Sequence, residues 1–161
     1  MNAATRIAHL WMGRILRAAY ARPPDGVVYI GVFVANMDKL KLIKTFGQAH
    51  GELHAHHMTV WHFSEGKEPP DYSKLPWGRD VSLKVTGYAK DDKAQAIVVQ
   101  PPSFLRPAGR IPHLTISTQP GVPPAYSNDL IRKAKDHRAP AIKGKLGWVG
   151  EDNKVRLTAP V

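Results

Sequence analysis

Cysteine is absent from this 161-residue chain. Without a thiol there is no disulfide framework, no Cys-ligated zinc site and no thiol nucleophile, and the composition is compatible with a reducing compartment. No apolar run approaches the length of a bilayer-spanning helix, so no membrane partner is expected. Acidic residues are scarce: 13 Asp and Glu stand against 23 Lys and Arg, a formal net charge of +10. That balance favours a polyanionic partner such as RNA or a nucleotide. A dense Lys/Arg block is also missing, so the charge belongs to the surface of a folded body rather than to a disordered arm. With 43% hydrophobic and 22% charged residues, the chain has the make-up of one globular domain with a proper core.

Residues 1–22 stand apart. Arg6, Arg14, Arg17 and Arg22 occur with no acidic residue before Asp25, and Ile7, Trp11, Ile15 and Ala18 share one helical face. We read an N-terminal amphipathic helix followed by a single domain over 23–161. A cytoplasmic monomer is expected, although an Arg-rich, acid-poor start is also the pattern of an organelle-targeting segment.

Arg22-Pro23-Pro24-Asp25-Gly26 is a break. The apolar run 27–34 reads as a central strand, and Asn36 or Asp38 as the cap of a helix reaching about His50 and stopped by Gly51. Leu40, Ile43 and Phe46, broadened by Leu42, supply its apolar face. A strand over 54–63, a hairpin from Val81–Tyr88 and Ala94–Val99, and a strand over Ile111–Thr118 follow. A short helix to about His137 and a last hairpin, Ala141–Val149 with Val155–Thr158, complete the order. Antiparallel strands with two interspersed helices argue an α+β fold.

Two of these strands carry the same pattern. His57-Met58-Thr59 and His113-Leu114-Thr115 each set an imidazole two residues before a hydroxyl, followed by a β-branched aliphatic, Val60 or Ile116. On a strand, residues i and i+2 share a face, so each motif aims a His and a Thr together. Brought side by side, the four side chains suit in-line attack on a phosphodiester. One imidazole acts as base, the other as acid, and the hydroxyls hold phosphate oxygens. Strand alternation puts Ala55, Trp61 and Phe63 on the face of His57, puts His54, His56 and His62 on the other, and lets Ser117 continue the face of His113. Tyr29, Trp61 and Ser117 are candidate substrate contacts. Trp77 and Trp148 join Tyr29 and Trp61 as candidates for stacking on a base, and for each of the four core packing is favoured. Lys84, Lys90, Arg106 and Arg110 are candidate phosphate contacts.

The paired motifs resemble those of the 2H phosphoesterase superfamily. Tyr29-Ile30-Gly31-Val32-Phe33, Pro112-His113-Leu114-Thr115 and the later Gly121 and Ser127-Asn128 look most like the cyclic phosphodiesterase domains associated with RNA ligases and RNA repair. The resemblance spans roughly residues 27–160. It implies a bilobal α+β fold of two antiparallel sheets with pseudo-two-fold symmetry, lining a central cleft with helices outside. It also implies metal-independent hydrolysis of 2′,3′-cyclic phosphates on RNA ends or cyclic nucleotides, with no cofactor. Carried over, His57 and His113 are the acid/base pair and Thr59 and Thr115 the phosphate ligands.

Three other readings use the same residues. His54, His56, His57 and His62 are dense in metal ligands, but their spacing with Glu52 and Glu65 fits no familiar metal pattern. A hydrolase of cyclic di- or oligonucleotide signals keeps the chemistry and changes the substrate. A non-catalytic basic RNA-binding module explains the charge but leaves the twin motifs without a role.

Overall fold

A computed structural model describes residues 25–161 of the chain. The N-terminal helix read over 1–22 lies outside the described residues. From Val27 onward the chain forms strand β1 (Val27–Val34), helix α1 (Asn36–Phe46) and strands β2 (Glu52–Leu53) and β3 (His57–His62). Strands β4 (Asp80–Lys90), β5 (Ala94–Gln100) and β6 (His113–Thr118) follow. A short helix α2 (Ser127–Leu130) precedes β7 (Lys135–Gly150) and β8 (Val155–Arg156).

The α+β composition agrees with the sequence reading, but the strands are joined differently. β1, β3, β6, β5, β4 and β7 are hydrogen-bonded in that order, and β7 pairs back onto β1. Six antiparallel strands thus close into a barrel instead of standing as two separate sheets. β1 makes this possible because it is apolar enough to be buried between neighbours and pairs along both edges, Val32 with Met58 on β3 and with Leu146 on β7. Closure removes the free edges that two open sheets would leave. Ile30, Val32, Met58, Leu83, Ile97, Leu114, Ile116 and Leu146 fill the interior and are fully buried.

Several local expectations are corrected. Helix α1 begins after Ala35 with no side-chain cap, and it ends at Phe46, where Gly47 takes φ 70°. Its inward stripe follows i, i+4 spacing through Asp38, Leu42 and Phe46, so Leu40 is left 61% exposed. Asp38 is no cap; its carboxylate accepts the Lys143 amide at 3.2 Å and ties α1 to β7. The second helix is only Ser127–Leu130 plus a 3-10 turn, and His137 already belongs to β7. Pro140 stays within β7 because the β4–β7 register shifts between Leu83 and Val85, a place where a missing amide hydrogen is tolerated. No helix among the described residues is long and apolar enough to cross a membrane.

Candidate active site

β3 and β6 meet at one ladder pair, Met58 opposite Leu114. Both side chains are fully buried. One step to either side, the antiparallel register sets His57 across from Thr115 and Thr59 across from His113. Since side chains alternate, those four residues share the face opposite the Met58–Leu114 core contact. The imidazoles spring from diagonal positions, which in antiparallel pairs lie about 7–8 Å apart. All four side chains line a single cleft of about 390 Å³.

β1 shapes the bed of His57. Tyr29, Gly31 and Phe33 alternate onto one face, and the His57 ring lies 4.9 Å from the Tyr29 ring and 5.7 Å from that of Phe33, centroid to centroid. Between them Gly31 offers no side chain. A Cβ there would stand 2.9 Å from the Met58 carbonyl oxygen and 3.7 Å from Cδ2 of His57. Glycine therefore lets β1 approach β3 closely under the imidazole.

Both histidines are anchored through Nδ1. That of His113 donates to the Ile111 carbonyl at 2.9 Å, an assignment the carbonyl requires because it can only accept. Nδ1 of His57 lies 2.7 Å from Nδ1 of His56, so one ring donates and the other accepts. With Nδ1 occupied, Nε2 of each ring is left for the cleft. Burial, and then the neighbouring rings of His56, His113, His54 and His62, push His57 down to about 3. Burial also lowers His113, opposed by the Ile111 carbonyl and assisted by the Arg110 charge. At neutral pH His57 and His113 are thus both neutral.

The hydroxyls differ. Thr115 Oγ1 donates to Ser127 Oγ at 3.0 Å, and Ser127 is fully buried at the start of α2. The Thr59 hydroxyl makes no hydrogen bond among the described residues.

Of the other candidates, Tyr29 lines the cleft, but Trp61 and Ser117 do not. Each is displaced by a β-bulge. Gly31 pairs with Thr59 and Ile30 with Trp61, which leaves Val60 as the extra residue. Ala96 pairs with Thr115 and Gln95 with Ser117, which leaves Ile116. The bulge falls on the aliphatic residue just after each His-x-Thr. It turns Trp61 inward, 9% exposed with Nε1 donating to the Lys67 carbonyl. Ser117 is fully buried and donates to Gln95 Oε1 at 2.7 Å. The Val60 bulge also returns His62 to the cleft. At the other end Ala55, at φ 53°, breaks the strand before His57, and His54 and His56 reach the cleft as well. Phe63 leaves the strand for a 3-10 turn.

Arg110 lines the cleft beside Ser64 and Asn128, whereas Lys84 and Lys90 sit on β4 away from it. Trp77 and Trp148 are held by indole hydrogen bonds to the Tyr72 and Thr158 carbonyls and do not line it. His54 Nε2 engages Thr118 Oγ1 at 2.9 Å, and His56 engages His57. Among the described residues no three His, Asp or Glu side chains converge in a way that could hold a metal ion.

Fold and cleft together define a closed antiparallel barrel with a strand-borne pair of His and Thr at one seam. Solved structures include a similar one: the crystal structure of a fungal RNA kinase, with a TM-score of 0.54 at 15% identity. The match covers 74% of this chain and 44% of that one, and at this identity it establishes the fold alone. No protein-family profile and no curated protein sequence matches the chain.

Proposed function

We propose that this protein is a metal-independent phosphodiesterase that opens 2′,3′-cyclic phosphates of RNA ends or cyclic nucleotides by two-histidine acid–base catalysis. The observation that carries the reading is the Met58–Leu114 register, which sets two His and two Thr around one cleft. The net charge of +10 suits a polyanionic substrate. The likeness in fold to an RNA kinase favours RNA as that polyanion.

In the reaction, a water oxygen bonds to phosphorus in line with the ribose oxygen that leaves. The base takes one proton of that water, and the acid protonates the ribose oxygen as its bond to phosphorus breaks. The product is a terminal phosphomonoester and a free hydroxyl. His57, held neutral by burial and by four neighbouring imidazoles, fits the base. His113, whose Nδ1–H rests on a carbonyl that favours the charged ring, fits the acid. Thr59 donates to one non-bridging oxygen, and Thr115 turns its one hydroxyl hydrogen from Ser127 Oγ to another while accepting from Ser127 in exchange; charge accumulates on those oxygens in the transition state.

The test is incubation with 2′,3′-cyclic mononucleotides, a cyclic-phosphate-ended RNA and cyclic oligonucleotides, each with and without EDTA. Turnover of a 2′,3′-cyclic phosphate that ignores EDTA and falls about 10²–10⁴-fold in His57→Ala and His113→Ala is the expected outcome. Activity lost to EDTA sinks the mechanism, and cleavage of the cyclic oligonucleotide alone moves the substrate to signalling nucleotides. RNA binding without any turnover reduces the protein to a binding module.

A further inference from the structure

Beside the cleft lies a second concavity, of about 670 Å³, and Arg110 and Asn128 line both. Its walls add Lys67, Arg106 and Arg132. Glu65 is the one carboxylate among its lining residues, and it is engaged by the Arg110 guanidinium and, at 3.7 Å, by Lys67. Arg106 and Arg132 are exposed and have no carboxylate partner among the described residues. The loop bearing Arg106 and Arg110 is pinned at two points, by the Arg110–Glu65 pair and by Lys67 Nζ donating to the Ala108 carbonyl. The Arg110 guanidinium is therefore held in place, and the loop backbone that carries Arg106 is fixed, before any ligand arrives.

We propose that this groove binds the sugar-phosphate backbone of a single-stranded RNA whose cyclic phosphate end occupies the cleft. The inference rests on the function proposed above and narrows its substrate to an RNA end instead of a free cyclic nucleotide. A cyclic mononucleotide carries one phosphate, and the cleft consumes it. The cationic groups next door then have nothing to hold. A strand ending in a cyclic phosphate brings one more phosphodiester with each nucleotide on its 5′ side, and the shared Arg110–Asn128 boundary gives that chain a continuous path. Guanidinium groups match phosphate geometry in two-pronged contacts. No aromatic side chain lines the groove, so base stacking contributes little there. Binding is consequently electrostatic, salt-sensitive and tolerant of base sequence.

The experiment uses a short fluorescein-labelled RNA ending in a 3′-monophosphate, a probe that is not consumed, and reads anisotropy across a salt series. The full chain is compared with the double variant Arg106→Gln/Arg132→Gln. A second double variant, Lys90→Gln/Lys135→Gln, loses the same charge at exposed positions that line neither the cleft nor the groove. The groove variant is expected to bind about tenfold more weakly and to lower the salt slope by about 1.4, two contacts at roughly 0.7 each. That control pair is expected to stay within about twofold of wild type, because exposed charges that make no direct phosphate contact are largely screened. Turnover of a 2′,3′-cyclic mononucleotide should match wild type in the groove variant while KM for a cyclic-ended oligonucleotide rises. Equal weakening by both pairs, or none by either, overturns the groove. If wild type turns over no cyclic phosphate, the proposed function fails, and the anisotropy comparison still judges the groove alone.

Discussion

Nδ1 of His56 stands 2.7 Å from Nδ1 of His57, so the two rings share one proton between them. A second proton on that contact would set two N–H groups head to head. Burial first, and then His56 and the other neighbouring imidazoles, keep His57 neutral in the folded chain, which makes the acid limb of stability a direct readout.

Folded His57 resists protonation down to about 3, whereas in an unfolded chain the ring takes up its proton near 6.5. Between those values the unfolded state binds more protons. Stability is therefore fully present above about pH 6.5 and is lost as the pH falls toward 3. Urea midpoints measured from pH 7.5 to 4 should decline for wild type and decline less steeply for His57→Gln. Parallel slopes in the two proteins would remove His57 as the source.

The acid must acquire a proton that His113 lacks at neutral pH. A bound phosphate supplies the opposite charge that favours the imidazolium form. Binding of a nucleoside 2′- or 3′-monophosphate near pH 7 should take up protons, seen as calorimetric heats that differ between buffers of unlike ionisation enthalpy. His113→Gln should lose most of that uptake. Buffer-independent heats would mean that no histidine charges on binding.

Thr115 is held by Ser127, a residue that shares no strand with it. Ser127→Ala should lower kcat by roughly 2–12-fold, the range for one hydrogen bond worth about 0.5–1.5 kcal/mol. Thr115→Val should cost about 10²–10³-fold, as for other donors to a developing oxyanion. In the Thr115→Val background, Ser127→Ala should add little. Fully additive losses would show that Ser127 acts through something other than Thr115.

Gly31→Ala places a Cβ 2.9 Å from the Met58 carbonyl oxygen, beneath His57. Because the obstacle is backbone, β1 and β3 must separate, at a cost of about 1–3 kcal/mol. A lower Tm and a lower kcat are expected together, since the ring of His57 loses its seat. A variant with wild-type Tm and kcat would show that the two strands yield freely at this point.

The residues that were legible in the sequence are those governed by local periodicity. Strand alternation put His57 with Thr59 and His113 with Thr115, and all four side chains reach one cleft. The same rule failed one step later. It carried Trp61 and Ser117 onto that face and His62 away from it, because it assumes an unbroken pleat. Bulges at Val60 and Ile116 break the pleat, and they exist because neighbouring strands meet at an offset that no single strand encodes. No local pattern marks Ser127 as a support for Thr115. Its bond to Thr115 spans 12 positions and depends on how α2 docks.

By itself, then, the sequence determined the chemical inventory: no thiol, an excess of positive charge, and two His-x-Thr strands whose alternation follows from backbone geometry alone. Tertiary structure decided which of those groups meet. The closure of β7 onto β1, the single β3–β6 ladder pair and the seat over Gly31 are all contacts between distant segments. Their register is set by burying Met58 against Leu114, and a one-residue slip would turn every cleft side chain into the core.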